Sequence, residues 1–275
     1  MDCVACGSAG VTERLERTAR GYRRFRCCDC GKQYNERSGG LLNHTHYPSD
    51  VIALVVLWRL RYRLTLRDLS EMFLVRGIVF SYEAVREWEA KLAPLLAEEL
   101  RRRRHGRGGT RGRHWHVDET YLKVRGRWCY LYRAIDRDGN LVDTMLSEHR
   151  DMAAAQAFFR SAKAATGVTP ERVTTDGHGS YPRAIRTVLG RRVVHRTSAY
   201  KNNGLEQDHR GVKGRTRCMR GFKSFSSAER FCRSYNELRD FLRPCTRHNQ
   251  PVLASRRRLL HLRRATTALA ILEAA

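Results

Sequence analysis

The sequence predicts a mixed α/β fold, in which a mixed five-stranded sheet is flanked by helices and preceded by two smaller N-terminal modules. Residues 114–147 contain three segments of alternating apolar and polar residues, separated by turn signals at Gly126 and Asp138-Gly139, which is typical of a strand meander. Helical and strand patterns then alternate along 151–213, as expected for a sheet covered by helices. The N-terminal part begins instead with clustered cysteines, followed by apolar stripes at helical spacing.

The elements of the α/β segment are expected in a definite order. They are strands at about 114–120, 126–136 and 140–147, a helix near 151–165, a strand at 171–176, a helix at 180–189, a short strand at 191–195 and a final helix around Glu206. Asp151 is the expected N-cap of the first helix, because its carboxylate can accept a hydrogen bond from the N–H groups of the first turn. Ligand-binding side chains of such sheets gather where strands end.

Three acidic residues lie at such positions. Asp118 lies in the first strand, Asp176 ends the fourth before a glycine-rich turn, and Glu206 begins the last helix. Carboxylate oxygens are the ligands that Mg²⁺ prefers, and three acids leave coordination sites for water and phosphate. Taken alone, each acid is more often solvated or ion-paired than catalytic. Strand alternation sends Asp118 and Glu119 to opposite faces, and the sequence does not say which of them faces a site.

Three runs of sequence carry a family resemblance. They read W-H-V-D-E-T-Y-L-K-V-R-G-R-W-C-Y-L-Y-R-A-I-D at 115–136, T-T-D-G-H-G-S-Y at 174–181, and Y-K-N-N-G-L-E-Q-D-H-R-G-V-K at 200–213. Together they resemble the catalytic domain of DDE transposases of bacterial insertion sequences. The last run and G-F-K-S-F at 221–225 resemble the branch that transposes replicatively through cointegrates. The resemblance implies a ribonuclease-H-like domain over 114–243 that cuts DNA at terminal inverted repeats and joins the 3′ hydroxyls to target DNA.

By this resemblance, the three acids are the catalytic triad and bind two Mg²⁺ (or Mn²⁺) ions. Lys213 corresponds to the basic residue that engages DNA at the transposon end in the family. The spacing supports this role, since four residues at i, i+3, i+4 and i+7 share one helix face: Glu206, His209, Arg210 and Lys213. We therefore expect Lys213, Arg210 and His209 to bind DNA. For His209, an exposed and ion-paired helix face is an open alternative.

The first 40 residues carry a separate metal-binding pattern. They contain two C-x-x-C pairs separated by 20 residues, and four thiolates at such spacing close a tetrahedral structural zinc site. The predicted Zn²⁺ ligands of this zinc ribbon (1–40) are Cys3, Cys6, Cys27 and Cys30. Cys28 could replace Cys27 only in a less usual C-x-C pair. A disulfide framework is the alternative, which the scatter of the other cysteines and the lack of a preceding secretory segment disfavour.

Residues 48–100 predict a helical module. Apolar stripes indicate three helices, the third beginning at Ser81 and ending near Pro94, an arrangement that resembles a helix-turn-helix DNA-binding region. The third helix is expected to expose three acids against two cations, namely Glu83, Glu87, Glu89, Arg86 and Lys91. Such an acidic surface is unfavourable for reading DNA bases, so a packing role for this helix is the alternative.

Two basic segments border the α/β domain. The run R-R-R-R-H-G-R-G-G-T-R-G-R at 101–113 is predicted to be a flexible linker that follows the DNA backbone. Its candidate DNA-binding residues are Arg101, Arg102, Arg103 and Arg104. The C-terminal segment, 244–275, predicts a basic amphipathic helix. This helix can touch DNA, touch a second copy of the chain or pack on the domain, and the sequence leaves these options open.

The charge of the chain favours a nucleic-acid partner. Its 275 residues include 53 Lys and Arg against 28 Asp and Glu, a formal net charge of +25, so we expect DNA binding that weakens steeply with salt. The longest apolar run, 51–58, has 8 residues, against roughly 20 needed to span a bilayer, so no membrane partner is expected. We expect a cytoplasmic, nucleoid-associated protein without a small-molecule substrate, which pairs two DNA ends as a homodimer or larger assembly.

Two other functions fit parts of the sequence. A zinc ribbon and a helix-turn-helix without catalysis would make a DNA-binding regulator, which the presence of acids at all three positions disfavours. A nuclease of the same fold would cut DNA without joining it, and such an enzyme has no reason to carry a separate end-binding module.

Overall fold

The computed structural model describes residues 2–104, 111–198, 203–219, 221–244 and 252–275. The chain begins with a small three-stranded sheet, continues through three helices and then forms a five-stranded sheet with helices on both faces. The predicted linker from 105 to 110 and the turn at 199–202 before the last helix of the α/β segment lie outside the described residues.

Three short antiparallel strands form the N-terminal sheet: β1 (Val11–Arg17), β2 (Arg23–Cys27) and β3 (Gln33–Asn35). Its buried apolar side chains are few, namely Cys3, Phe25, Cys27 and Tyr34. A cluster of this size buries too little apolar surface to hold a fold alone. The sheet therefore needs a cross-link, such as a bound metal, for its stability.

Three helices follow the small sheet: α1 (Ser49–Arg61), α2 (Leu66–Leu74) and α3 (Tyr82–Arg104). Thr65 and Asp68 form a reciprocal capping box at the start of α2. The Asp68 N–H donates to Thr65 Oγ1 at 3.0 Å, and the Thr65 N–H donates to the Asp68 carboxylate at 2.8 Å. Two of the N–H groups at this helix start are thereby satisfied.

Helix α3 begins as predicted but ends later. The Ser81 hydroxyl accepts a hydrogen bond from the N–H of Ala84 at 3.2 Å, whereas the predicted end near Pro94 is wrong because α3 continues to Arg104. The apolar stripe continues past the proline, and its burial offsets the roughly 3 kcal/mol that proline costs in a helix interior. The segment predicted as a linker over 101–113 therefore begins as helix.

Glu89, which was predicted to be exposed, is buried between α3 and α1. It is 6% exposed, and its Oε2 accepts a hydrogen bond from Arg59 Nε at 2.7 Å. Glu83 and Glu87 are exposed, as predicted. The outer surface of α3 is therefore less acidic than the sequence indicated, because one of its three acids serves packing between helices.

The central sheet has five strands in the part of the chain that the structure describes. They are β4 (His114–Val124), β5 (Arg127–Asp136), β6 (Leu141–Ser147), β7 (Arg172–Thr175) and β8 (Val194–Thr197). Their order is β6-β5-β4-β7-β8, with β6, β5 and β4 antiparallel and β4, β7 and β8 parallel. This order is ribonuclease-H-like and confirms the predicted fold class.

Five further helices accompany the sheet: α4 (Met152–Thr166), α5 (Ser180–Val188), α6 (Asn203–Thr216), α7 (Phe225–Leu242) and α8 (Ala254–Glu273). Helices α4 and α5 cover one face, where Trp115, Phe158 and Tyr181 are fully buried. Asp151 caps α4 as predicted, because its Oδ1 accepts a hydrogen bond from the N–H of Ala154 at 2.8 Å.

The opposite face of the sheet packs on α3 and α7. One continuous apolar cluster includes Trp88 of α3, Phe231 of α7 and Leu131 of β5. The Ser234 hydroxyl of α7 also donates to the carbonyl of Ala93 in α3 at 2.9 Å. The helical module predicted at 48–100 therefore packs directly on the α/β domain.

Helix α8 shares this core through its C-terminal half. Ala268 and Leu272 are buried in the core, whereas Leu259 and Leu262 near the start of α8 are exposed. The last turns of the predicted basic helix therefore pack on the domain. None of the described helices combines the length and the apolar character needed to cross a membrane.

Candidate active site and metal centre

The strand register brings Asp118 and Asp176 together. Strands β4 and β7 are parallel, and His116 is paired with Thr174. Asp118 and Asp176 each lie two residues further along, and Asp176 is the first residue after β7. Neighbouring strands are about 4.8 Å apart, and alternate residues of a strand share a face. Both carboxylates therefore lie on the same side of the sheet, where β7 ends.

The Asp118 carboxyl group lies in an environment with excess negative charge. Burial, together with the nearby carboxylates of Glu119 and Asp176, raises the pKa of Asp118 to about 7, although the N–H of Glu119 donates to its Oδ1 at 2.9 Å. A carboxyl group whose ionisation is opposed by burial and by like charges gains most from a bound cation. The donor set also fits Mg²⁺ or Mn²⁺, because it offers carboxylate oxygens.

Glu119 faces the other side of the sheet and is buried there. Its carboxylate accepts hydrogen bonds from Arg150 and from the hydroxyl of Tyr181 on α5. Burial and the Glu119 carboxylate raise the pKa of Tyr181, so the phenol stays a neutral donor. The structure thus resolves the ambiguity between the two adjacent acids, because Glu119 is held by structural contacts and Asp118 faces α6.

Asp176 contacts Arg150, a residue that the sequence patterns did not indicate as part of the site. Arg150 Nη2 lies 3.3 Å from Asp176 Oδ2, while the same guanidinium binds Glu119. The N–H of His178 donates to Asp176 Oδ1 at 3.0 Å. Gly177, between them, has a φ of +93°, a backbone conformation that favours glycine. Arg150 therefore positions Asp176, and the only sequence signal for it was a basic residue directly before the Asp151 cap.

Helix α6 lies beside Asp118. Its His209 Nδ1 is 3.9 Å from Asp118 Oδ2, and Glu206, which is exposed, precedes His209 by three residues. Residues at this spacing have Cβ atoms about 5–6 Å apart on one helix face, so α6 carries Glu206 to the same side of the sheet as the aspartates. Among the described residues, however, the three acids are not close enough together to share an ion as they stand.

Two of the predicted DNA-binding arginines are engaged inside the protein. Arg104 forms a bidentate pair with Glu237 at 2.7 and 2.8 Å, and Arg101 Nη2 lies 3.5 Å from Asp143. Both guanidiniums are largely buried, with 14% and 16% of the side chain exposed. The hydrogen-bonding groups of these two arginines join α3 to the sheet and α7, and contact of either residue with DNA stays a prediction.

The remaining predicted DNA-binding residues divide by exposure. His209 is 8% exposed and lies against Asp118, and its role as a DNA contact stays a prediction. Four others lie at the surface: Arg102, Arg103, Arg210 and Lys213. Arg102 and Arg103 both contact the Glu99 carboxylate, at 2.6 and 2.8 Å, in exposed pairs that solvent screens.

Arg215 anchors the end of α6 close to Lys213. It is 2% exposed, donates to the backbone carbonyl of Arg59, and lies with its guanidinium 5.1 Å from the centre of the Phe231 ring. Burial and the neighbouring Arg59 lower the pKa of Arg215 to about 10. These contacts fix the direction of α6 relative to α1 and α7, and hence the position of the exposed Lys213.

The four predicted zinc ligands meet at one end of the small sheet. Cys3 Sγ is 3.6 Å from Cys30 Sγ, and Cys6 Sγ is 3.6 Å from Cys27 Sγ. All four sulfurs lie within 4.8 Å of one another, and within the described ranges they form the one group of this kind. Tetrahedral Zn–S bonds of about 2.3 Å place sulfurs roughly 3.8 Å apart, so the cluster fits Zn²⁺. Cys28 lies outside the group.

The electrostatics of Cys3 and Cys6 agree with this fit. The N–H of Ala5 donates to Cys3 Sγ at 3.5 Å and lowers the pKa of Cys3 to about 6. Although the N–H of Ser8 favours the Cys6 thiolate, the three neighbouring sulfurs raise the pKa of Cys6 to about 12. Four thiolates this close repel each other, and a bound cation offsets that repulsion.

Comparison with known proteins identifies the family. A family model described as a DDE domain matches residues 112–244. The chain is 36% identical over 176 residues to the transposase for insertion sequence-like element IS431mec of Staphylococcus aureus, covering 62% of this chain and 76% of that protein. The figures are the same for the transposase of insertion sequence element IS257 in transposon Tn4003 of the same species. Among solved structures, the catalytic domain of Mos1 mariner transposase aligns with a TM-score of 0.33 and 13% identity, covering 66% of this chain and 92% of that one.

A ribonuclease-H-like sheet with aspartates where β4 and β7 meet defines a class of enzymes that cut and join nucleic acids. Within that class, the chain belongs to the DDE transposases of bacterial insertion sequences. It is therefore a transposase and acts on DNA, as its sequence predicted.

Proposed function

We propose that this transposase binds the terminal inverted repeats of an insertion sequence, hydrolyses DNA strands at its ends and joins the 3′ hydroxyls to target DNA by transesterification. The observation that supports this most directly is the juxtaposition of Asp118 and Asp176 on neighbouring parallel strands. Helix α6 lies next to them and carries Glu206 and His209. The raised pKa of Asp118, caused by burial and the adjacent acids, marks a site that favours cations.

Asp118, Asp176 and Glu206 would hold two divalent cations, Mg²⁺ or Mn²⁺. When bound, these ions supply activation of the attacking oxygen and stabilisation of charge on the leaving oxygen. His209, within 3.9 Å of Asp118, orients that carboxylate, and Arg150 orients Asp176 from the other side. The protein thus contributes position and charge, which dominate catalysis of phosphoryl transfer.

Exposed cations on α6 and at the end of α3 would hold the DNA backbone. Lys213 and Arg210 lie at the surface of α6, and Arg102 and Arg103 lie at the end of α3. The net charge of +25 supports a phosphate-rich partner. We also propose that the zinc ribbon and helices α1–α3 bind the terminal repeats, and that a homodimer or larger assembly pairs two ends.

A cointegrate assay tests this function. The gene is placed on a donor plasmid together with its flanking DNA, and fusion to a target plasmid is scored for the wild type and for Asp118→Asn. Loss of one metal-binding carboxylate removes several kcal/mol of charge stabilisation, so we expect cointegrates to fall at least ~100-fold. Binding of the purified variant to the flanking DNA should stay within about twofold of wild type, because the substitution leaves the exposed cations intact.

Glu148→Gln serves as the matched control, since Glu148 is an exposed acid at the end of β6. It should leave cointegrate formation unchanged. Equal losses of DNA binding and cointegrates in Asp118→Asn would refute the assignment of Asp118. Metal-dependent nicking without joining would instead establish a nuclease, and binding without nicking by the wild type would establish a regulator.

A further inference from the structure

Two large aromatic side chains are exposed at the end of the β4–β5 hairpin. Trp128 is 60% exposed and Tyr121 is 45% exposed. They pack edge to face with ring centroids 6.3 Å apart, and Tyr121 also packs on Tyr130 at 5.4 Å. Exposed aromatic groups of this kind, held in a fixed arrangement on a strand pair, are typical of binding surfaces.

Cations surround these rings. Lys123 Nζ lies 5.5 Å from the centre of the Trp128 ring, and Lys213 of α6 and Arg217 line the same cavity, which has a volume of about 640 Å³. A cavity of this size is within the range of roughly 300–1,000 Å³ that takes small-molecule groups. The cavity therefore combines flat aromatic faces with positive charge, which are the two components of sites for unpaired nucleotides.

The cavity lies at the edge of β4 beyond the part that pairs with β7, next to the isolated bridge between Val124 and Phe222. Strand β7 lies against residues 114–116 of β4. Within the described chain, residues 117–123 of β4 have no strand partner on that edge. Tyr121 follows Asp118 by three residues, or about 10 Å at 3.3 Å per residue, and strand alternation places its side chain on the side of Glu119, across the sheet from Asp118. Lys213 follows Glu206 by seven residues, or about 10 Å at 1.5 Å per residue. The cavity thus lies at the β4 edge, where the aromatic side chains come from one side of the sheet and Lys213 comes from α6 on the side of the acids.

We propose that this cavity binds an unpaired base of the DNA strand, a few nucleotides from the phosphate that is cut. The base stacks on Trp128 and Tyr121, while Lys123, Lys213 and Arg217 contact the adjoining phosphates. The position of the base rests on the proposed function, because it is counted from the acids that would cut the DNA. The distance of about 10 Å from these acids to the cavity corresponds to about three nucleotides at 3.4 Å each. A paired base cannot use the site, because its faces are covered by its neighbours in the duplex. An apolar protein segment is a poorer fit, because it would not need three cations.

Intrinsic fluorescence provides a direct test with the full chain. The chain has four tryptophans. Trp88 and Trp115 are buried, Trp58 is partly buried and Trp128 is the most exposed. The wild type is titrated with a 12-nucleotide thymidine strand, with an abasic strand of the same length and charge, and with a duplex of the same length. Dissociation constants are measured in parallel from the anisotropy of labelled strands.

We expect the thymidine strand to quench the fluorescence to saturation and to bind more tightly than the abasic strand. Trp128→Phe should remove the quenching and keep most of the affinity, because a ring remains. Trp128→Ala and Tyr121→Ala should weaken thymidine-strand binding about 5- to 150-fold, since stacking contributes about 1–3 kcal/mol per base. Binding of the abasic strand should change less than twofold in every variant. Tyr62→Ala is the matched control, since Tyr62 is 46% exposed on the helical module.

Equal affinities for the thymidine and abasic strands, or quenching that persists in Trp128→Phe, would overturn the proposal. These outcomes are independent of the catalytic assignment, because binding and quenching do not use the acids. If the wild type forms no cointegrates but shows base-dependent quenching, the proposed function fails and the site stands. If cointegrates form but quenching is absent, only the site fails.

Discussion

Replacing Glu89 by Gln should strongly destabilise the helical module. Glu89 and Arg59 are 6% and 5% exposed and form an ion pair of 2.7 Å. Within the described residues, the other contacts of the Arg59 guanidinium are the Leu64 carbonyl, at 3.0 Å, and the face of Phe231, at 5.4 Å, and Glu89→Gln offers it an acceptor without charge. Arg215 lies over the same ring, so two buried guanidiniums would remain without a nearby anion.

The magnitude follows from the burial of the pair. Breaking a buried ion pair by removing one partner costs about 3–5 kcal/mol, and the second guanidinium places Glu89→Gln in the upper part of that range. With a urea dependence of about 3 kcal/mol/M, the unfolding midpoint should fall by about 1.3–1.7 M. Urea unfolding followed by far-ultraviolet circular dichroism measures this shift.

Glu87→Gln is the matched control, because Glu87 forms an exposed pair with Lys91 on the same helix, at 2.6 Å. Such a surface pair contributes only about 0–1 kcal/mol. The double variant Arg59→Met/Glu89→Leu should regain most of the lost stability, since apolar side chains replace both charges. If Glu89→Gln and Glu87→Gln lower the midpoint equally, the argument from burial is refuted.

Two further predictions concern a buried acid and the zinc ribbon. Burial raises the pKa of Asp240 to about 6, although the Leu141 N–H and Arg104 favour its ionised form. Because the pKa of Asp240 is higher in the folded than in the unfolded protein, the free energy of unfolding of the wild type falls as pH rises from about 4 through 6. Asp240→Asn should therefore be more stable than wild type by about 1–3 kcal/mol at pH 8 and equal to it near pH 4; a constant difference in urea unfolding across this range would contradict the assignment. Metal analysis should find one Zn²⁺ per chain, retained in Cys28→Ser and lost in Cys27→Ser. Chelation should make residues 2–40 sensitive to protease while residues 49–104 and 111–198 stay as resistant as before, and protection of residues 2–40 that survives metal removal would argue against a structural zinc.

The sequence predicted the α/β segment well because its strands alternate and its helices have clear caps, as at Asp151. The features that the sequence did not predict depend on tertiary contacts. Glu89 lies four residues after Val85, on the apolar side of its helix, but its partner Arg59 comes from another helix. Arg104 is in a basic run, yet its anion, Glu237, is 133 residues away. No local pattern could reveal that pair.

In the candidate site, too, some residues could be predicted from local patterns and others depend on tertiary contacts. The aspartates were predictable because parallel strand ends meet, and the cysteines because their spacing is specific. The burial of His209 depends on how α6 docks against β4, which the sequence does not encode locally. The Arg150 contact to Asp176 likewise depends on the turn before α4.

The continuous core that joins α1, α3 and α7 to the central sheet fixes the distance between the helical module and the proposed active site. If α1–α3 bind the terminal repeat as proposed, this fixed distance sets the number of base pairs between the bound sequence and the cut phosphate. One added base pair would move that phosphate by about 3.4 Å and turn it by about 35° around the DNA axis. The element would then have to keep its end spacing to the base pair, while the sequence of the spacer itself could drift.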